Sequence, residues 1–83
     1  MYFVYLLKSK KDNQFYIGHT NNIERRLKEH NSGLSRSTRA RRPFVLVGCE
    51  KYPTQSTARW RERQLKKSAF KRKQFIEQFY IRG

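Results

Sequence analysis

Cysteine, histidine and acidic residues are the scarce types in this sequence. A single cysteine, Cys49, excludes an internal disulfide framework, and with only two histidines beside it a Cys/His zinc site is not expected. Six Asp and Glu stand against 20 Lys and Arg, a formal net charge of +14. Self-repulsion of that size works against a compact state and points to a polyanionic partner. No run approaches the ~18 apolar residues of a membrane span, and no charged-then-apolar leader precedes a cleavage site. A cytoplasmic chain is therefore expected, neither membrane-spanning nor secreted. Its 83 residues fit one domain, 1–83, and leave no room for a second.

Aromatic residues are plentiful by contrast: five Tyr, six Phe and one Trp. The continuous run Tyr2-Phe3-Val4-Tyr5-Leu6-Leu7 reads as a strand covered on both faces, hence a central one. After a polar turn through Lys11-Asp12-Asn13, Phe15-Tyr16-Ile17-Gly18 reads as the return strand of a hairpin, ended by Gly18. A helix is expected from Asn21, with Glu24 completing a capping-box-like pattern, through Ile23, Leu27 and His30 to a left-handed cap near Gly33. Phe44–Cys49 reads as a third strand, with Pro43 at its first position. Thr54 or Ser56 can cap a second helix over about 56–67, and a third, about 69–81, carries Phe75, Ile76, Phe79 and Tyr80 as an apolar stripe. The expected fold is α+β, a three-stranded sheet flanked by helices in the order β-β-α-β-α-α.

Four arginines, Arg36, Arg39, Arg41 and Arg42, crowd one short loop with no acid and only small residues between them. Charge runs are often merely solvated, but beside a net +14 this loop is expected to contact phosphates. In the second helix, Ala58, Leu65 and Ala69 fall within about 40° of one another and mark the buried stripe. Glu62 lies at the edge of that stripe, and residues 59–73 are rich in Lys and Arg with no other acid. Two readings stay open for it. The plainer is an i,i+4 ion pair with Lys66; the other is a ligand for Mg²⁺, which keeps most of its waters and needs only one or two carboxylates. Lys66 and Lys67 extend the basic surface.

On the first helix, Asn22, Arg26 and His30 recur every four residues and form a polar ridge, either solvated or set to grip a phosphate through Arg26. Tyr5 and Tyr16 lie on the two strands of the hairpin. Strand tyrosines mostly pack; one becomes a useful base only where positive charge stabilises the phenolate. Trp60 is expected to cover the third helix rather than to stack on a base.

With tyrosines, arginine, histidine and glutamate in this order, the sequence resembles the GIY-YIG endonuclease superfamily. It is most similar to the small stand-alone bacterial members, which resemble the GIY-YIG nuclease domain found in excinuclease ABC. Val4-Tyr5-Leu6 corresponds to the first motif with only its tyrosine kept, and Phe15-Tyr16-Ile17-Gly18 keeps the second in full. The family's arginine falls on Arg26, its following His or Tyr on His30, the Lys or His after the second motif on His19, and its metal-binding glutamate on Glu62. The family's downstream asparagine has no counterpart; the nearest amide is Gln74.

The resemblance implies hydrolysis of phosphodiester bonds with one divalent metal, Mg²⁺ or Mn²⁺, anchored by Glu62. Tyr16, or as second choice Tyr5, would take a proton from the attacking water, and Arg26 would stabilise the charge that develops. His19 and His30 would orient the tyrosines and the water. No sequence-reading module is recognisable, so substrate choice is expected to rest on DNA structure (branched, nicked or single-stranded), on a targeting protein, or on both. Two other classes stay open: a catalytically silent nucleic-acid-binding domain on the same fold, and a small basic RNA-binding protein.

Overall fold

The structure is a computed structural model, and it describes residues 1–80. Strands β1 (Tyr2–Ser9) and β2 (Phe15–Thr20) form the hairpin, followed by α1 (Ile23–Ser32), a 3₁₀ turn (Arg39–Arg41), β3 (Phe44–Tyr52), α2 (Gln55–Lys67) and α3 (Ala69–Phe79). This is the expected α+β order. The sheet runs β2-β1-β3, both pairings antiparallel, so the apolar β1 is central as its composition requires.

Side chains alternate across β1 and divide the core in two. Val4 and Leu6 face α2 and α3, packing with Ile17, Ala58, Leu65 and Phe75. Tyr5 and Leu7 face the other way, onto Phe44 and the half-buried Tyr16, Ile23, Leu27 and Cys49. One helix therefore covers one face of the sheet and two cover the other.

Element ends depart from expectation by a few residues, each for a local reason. Strand β2 does not stop at Gly18 but pairs on to Thr20, which stands opposite Phe3. Asn22, not Asn21, caps α1: its Oδ1 accepts from Arg25 N at 3.0 Å. That shift leaves Glu24 one place short of a capping box, and it pairs instead with Lys28 at 3.8 Å. Gly33 ends the helix at φ 86°, in the left-handed region expected of it. Pro43 precedes β3 instead of opening it, and β3 continues to Tyr52. Thr54 caps α2, so the helix begins at Gln55. Helix α3 ends at Phe79 with Tyr80 as its cap; position 81, the end of the expected helix, lies outside the described residues.

Two packing expectations are corrected. Ala69 is exposed because the chain breaks at Ser68, so Ala69 starts α3 and leaves the buried stripe of α2. Trp60 is 61 % exposed and does not cover α3, because the contacts between α2 and α3 lie on the Leu65–Phe75 side.

Candidate active site

Strand register brings the two tyrosines together. Tyr5 stands opposite Gly18 and Leu7 opposite Tyr16, so the tyrosines are diagonal neighbours rather than direct partners, with ring centres 6.4 Å apart. A Cβ at position 18 would run into the Tyr5 ring and hydroxyl, which is why glycine is needed there. The second motif thus has a steric reason for ending in glycine even though the strand continues.

Helix α1 completes this pocket. His30, expected on a polar ridge, is instead fully buried, and Ile23 and Leu27 beside it are only half-buried. The helix turns its histidine inward because two polar partners receive it: Nε2 lies 3.0 Å from the Tyr5 hydroxyl and Nδ1 lies 2.8 Å from Thr38 Oγ1. Burial, helped by the Arg26 charge, pushes the His30 pKa down to about 4, so the ring is neutral. The half-exposed Arg26 donates to Glu29 at 2.9 Å and faces the Tyr5 hydroxyl. Burial alone would lower the Arg26 pKa, but those two partners raise it and secure the cation. For Tyr5, burial outweighs the opposing influence of Arg26 and lifts the phenol to about 12.

Glu62 approaches from the other layer. His19 pairs with Val4 and so points to the α2 side of the sheet, where its Nδ1 lies 2.7 Å from Glu62 Oε1. Lys66 Nζ lies 3.0 Å from Oε2 of the same carboxylate and 5.5 Å from the centre of the Tyr16 ring. The i,i+4 ion pair expected from spacing is therefore present, but it is one arm of a larger cluster. Because β2 is an edge strand, Lys66 can reach past it and join the Glu62–His19 pair on one face to Tyr16 on the other. His19 thus holds Glu62 rather than a tyrosine. Burial would raise the Glu62 pKa, yet the hydrogen bonds from His19 and Lys66 prevail and hold it below the usual carboxylate value.

The donor set suits a hard, water-rich ion and not a closed metal site. Among the described residues no three His, Cys, Asp or Glu gather to enclose a metal. One ionised carboxylate at a partly open depression fits Mg²⁺ or Mn²⁺, whose other positions water and substrate oxygens can fill. That depression, about 350 Å³, is lined by His19, Arg59, Glu62, Arg63, Lys66 and Lys67. On the far side of His19 a second depression is walled by Arg25 and Arg26. Lys66 and Lys67 therefore stand beside Glu62. Gln74 lies exposed on α3.

The basic loop divides into two kinds of arginine. Arg36, Arg39 and Arg42 are exposed and, with Lys11, line a depression of about 620 Å³. Arg41 is committed to structure: its Nε donates to Asp12 Oδ2 at 2.9 Å, and its guanidinium lies over the Phe44 ring. Spacing did not single out Arg59 and Arg63 as neighbours of Glu62, although the i,i+3 separation of Arg59 and Glu62 carries half of that information. Thr38 was missed as well. It is fully buried, and nothing in the loop's composition distinguishes it from Ser35 or Ser37.

Comparison with known proteins identifies the family. The family described as GIY-YIG catalytic domain matches residues 1–74. A UPF0213 protein of Staphylococcus haemolyticus is 42 % identical over 77 residues, covering 92 % of this chain and 90 % of that one. The UPF0213 protein YazA of Bacillus subtilis is 38 % identical over 79 residues, covering 93 % and 79 %. The solution NMR structure of a UPF0213 protein from Bacillus halodurans superposes with a TM-score of 0.57 at 36 % identity, covering 93 % of this chain and 84 % of that one.

Proposed function

We propose, from the premise that this chain belongs to the GIY-YIG catalytic-domain family, that it is a metal-dependent endonuclease hydrolysing phosphodiester bonds in DNA. The observation that supports this reading is that Lys66, at the open edge of β2, lies 3.0 Å from the Glu62 carboxylate and 5.5 Å from the centre of the Tyr16 ring. A carboxylate ringed by Arg59, Arg63, Lys66 and Lys67 is costly to a phosphate-binding surface unless it holds a cation there.

In this reading Tyr16 takes a proton from a water molecule whose oxygen attacks the phosphorus. The bond to the 3′ oxygen breaks with the electron pair going to that oxygen, which takes a proton from solvent, leaving a 3′ hydroxyl and a 5′ phosphate. Tyr5 is not the base: its phenol holds its proton up to about 12 and donates it to neutral His30. Its oxygen can still accept from the water and fix its line of approach. Arg26, secured as a cation by Glu29, offsets the charge developing on the phosphoryl oxygens. His19 keeps the Glu62 carboxylate turned toward the phosphate. Glu62 would hold a divalent ion, which when bound would supply Lewis-acid charge against the negative charge that develops on the phosphate. Arg36, Arg39 and Arg42 hold the strand by its backbone and read no bases.

A second reading has one observation in its favour. Both oxygens of Glu62 already have partners, His19 and Lys66, so the carboxylate is satisfied without a metal. A catalytically silent DNA-binding domain would look the same. Incubation of the purified protein with branched, nicked, single-stranded and duplex DNA, in Mg²⁺ and in Mn²⁺, separates the two. Cleavage that Glu62→Gln abolishes supports the nuclease; metal-independent binding without cleavage supports the silent domain.

A further inference from the structure

Trp60 is the one large aromatic residue that α2 turns to solvent, and its surroundings are cationic. It lines a depression with Ser56, Arg59 and Arg63. Arg59 and Arg63 also wall the depression that holds Glu62, so the two hollows adjoin across the pair. At 100° per residue, the surface of α2 passes from Glu62 to Arg59 at about 60°, Arg63 at about 100° and Trp60 at about 160°. On a helix about 10–12 Å across, that arc measures roughly 15 Å, the reach of a few nucleotides of extended strand. A single exposed apolar side chain usually needs no explanation. An indole flanked by arginines on a strongly basic chain is a different case. An apolar protein partner would have to desolvate those guanidinium groups without compensation, whereas a nucleic-acid strand brings phosphates for them and a flat base for the ring.

We propose that Trp60 is a stacking platform for an unpaired nucleobase, on a DNA strand whose phosphates cross Arg59 and Arg63 on the way to Glu62. The proposal deepens the nuclease reading by naming an unpaired strand as the preferred substrate, and it rests on that reading only for the place of the cut. Duplex DNA keeps its base faces covered by stacking and cannot use the platform without unpairing. Stacking is tolerant of sequence because every base presents a π-face. The site therefore adds selectivity for strand state and none for sequence.

Trp60 is also the sole tryptophan of the chain, so its own fluorescence reports on the ring. The protein is titrated in EDTA, where no cleavage can occur, with dT12 and with a 12-base-pair duplex. The dT12 strand is expected to quench the emission saturably, while the duplex binds through charge and leaves it nearly unchanged. Labelled-oligonucleotide anisotropy then compares variants. Trp60→Ala is expected to weaken dT12 binding about tenfold and duplex binding less than twofold, and Trp60→Phe, which keeps a ring, to weaken dT12 only a few-fold. Absent quenching, or an equal loss on both DNAs, overturns the proposal. Failure here and failure of the nuclease reading are distinguishable. If the wild type cleaves DNA while Trp60→Ala binds dT12 normally, only the platform is wrong. If dT12 quenches but no substrate is ever cut, the platform stands and the nuclease reading falls.

Discussion

The Tyr5 hydroxyl and the Nε2 atom of His30 lie 3.0 Å apart, both side chains withdrawn from solvent, and the direction of the hydrogen bond between them follows from Thr38. Thr38 Oγ1 donates to the Ser35 carbonyl, so toward His30 it accepts from Nδ1–H. A neutral imidazole protonated at Nδ1 must accept at Nε2, and Tyr5 is therefore the donor. The basic loop that carries Thr38 thus sets the proton positions at the tyrosine pair. In the proposed mechanism this order, Tyr5 to His30 to Thr38 to Ser35, leaves Tyr5 as a proton donor and Tyr16 as the base.

The difference is measurable. Tyr16→Phe removes the base and is expected to cost more than about 10²-fold in single-turnover cleavage at saturating Mg²⁺. Tyr5→Phe leaves the base in place and should cost less across pH 7 to 10. A more damaging Tyr5→Phe would reverse the roles, and indifference to both would make the pair packing residues.

For Glu62 the informative variant is Glu62→Gln, which preserves shape and removes charge. Metal-dependent cleavage should disappear and Mg²⁺ binding weaken. Thermal stability should change by no more than about 1 kcal/mol, since the partners given up are a partly exposed lysine and histidine. Full activity in this variant would refute the ligand assignment.

In the basic loop, replacing Arg36, Arg39 and Arg42 by Ala should weaken binding to all DNA sequences alike. The slope of log affinity against log salt should fall by about 2–3, roughly 0.9 for each duplex phosphate left without its arginine. Arg41→Ala belongs to a separate experiment. It breaks the Asp12 pair, which holds the Asp12 carboxyl below its usual pKa, and should register mainly as reduced stability. A base-dependent effect in the triple variant would mean that the loop reads sequence.

What could be read from the sequence, and what could not, follows from the range of each interaction. The sheet order was legible because Tyr2–Leu7 is apolar on both faces, a property of one segment alone. The candidate set Tyr5, Tyr16, Arg26 and Glu62 was legible from order and spacing through resemblance. Thr38 was not, because its partner His30 lies across a turn whose path no local pattern specifies. The exposure of Trp60 was hidden for a related reason. Its angle on α2 says that it points away from Ala58 and Leu65, but only the tilt of α3 decides whether anything covers that side. Asn21 and Asn22 compete for one cap, and the choice between them turns on where β2 ends.

Titration of His30 offers a last test, of stability rather than catalysis. Burial depresses its pKa from about 6.5 in the unfolded chain to about 4 in the fold. Between those values the unfolded chain binds the extra proton and the folded one does not. Stability from this group is therefore fully present above about pH 6.5 and is lost as pH falls toward 4. The full loss is on the order of 3 kcal/mol, large for a chain of this size. Carboxylates with depressed pKa, Asp12 and Glu62, lose their contributions at lower pH, so the His30 step should appear first on acidification. Urea melts at half-unit intervals from pH 7.5 to 4.0 would record it. In His30→Phe the curve should flatten over that window, because the group that takes up its proton only on unfolding is gone. A slope unchanged by the substitution would place the titration on another group and remove the case for a neutral, proton-accepting His30.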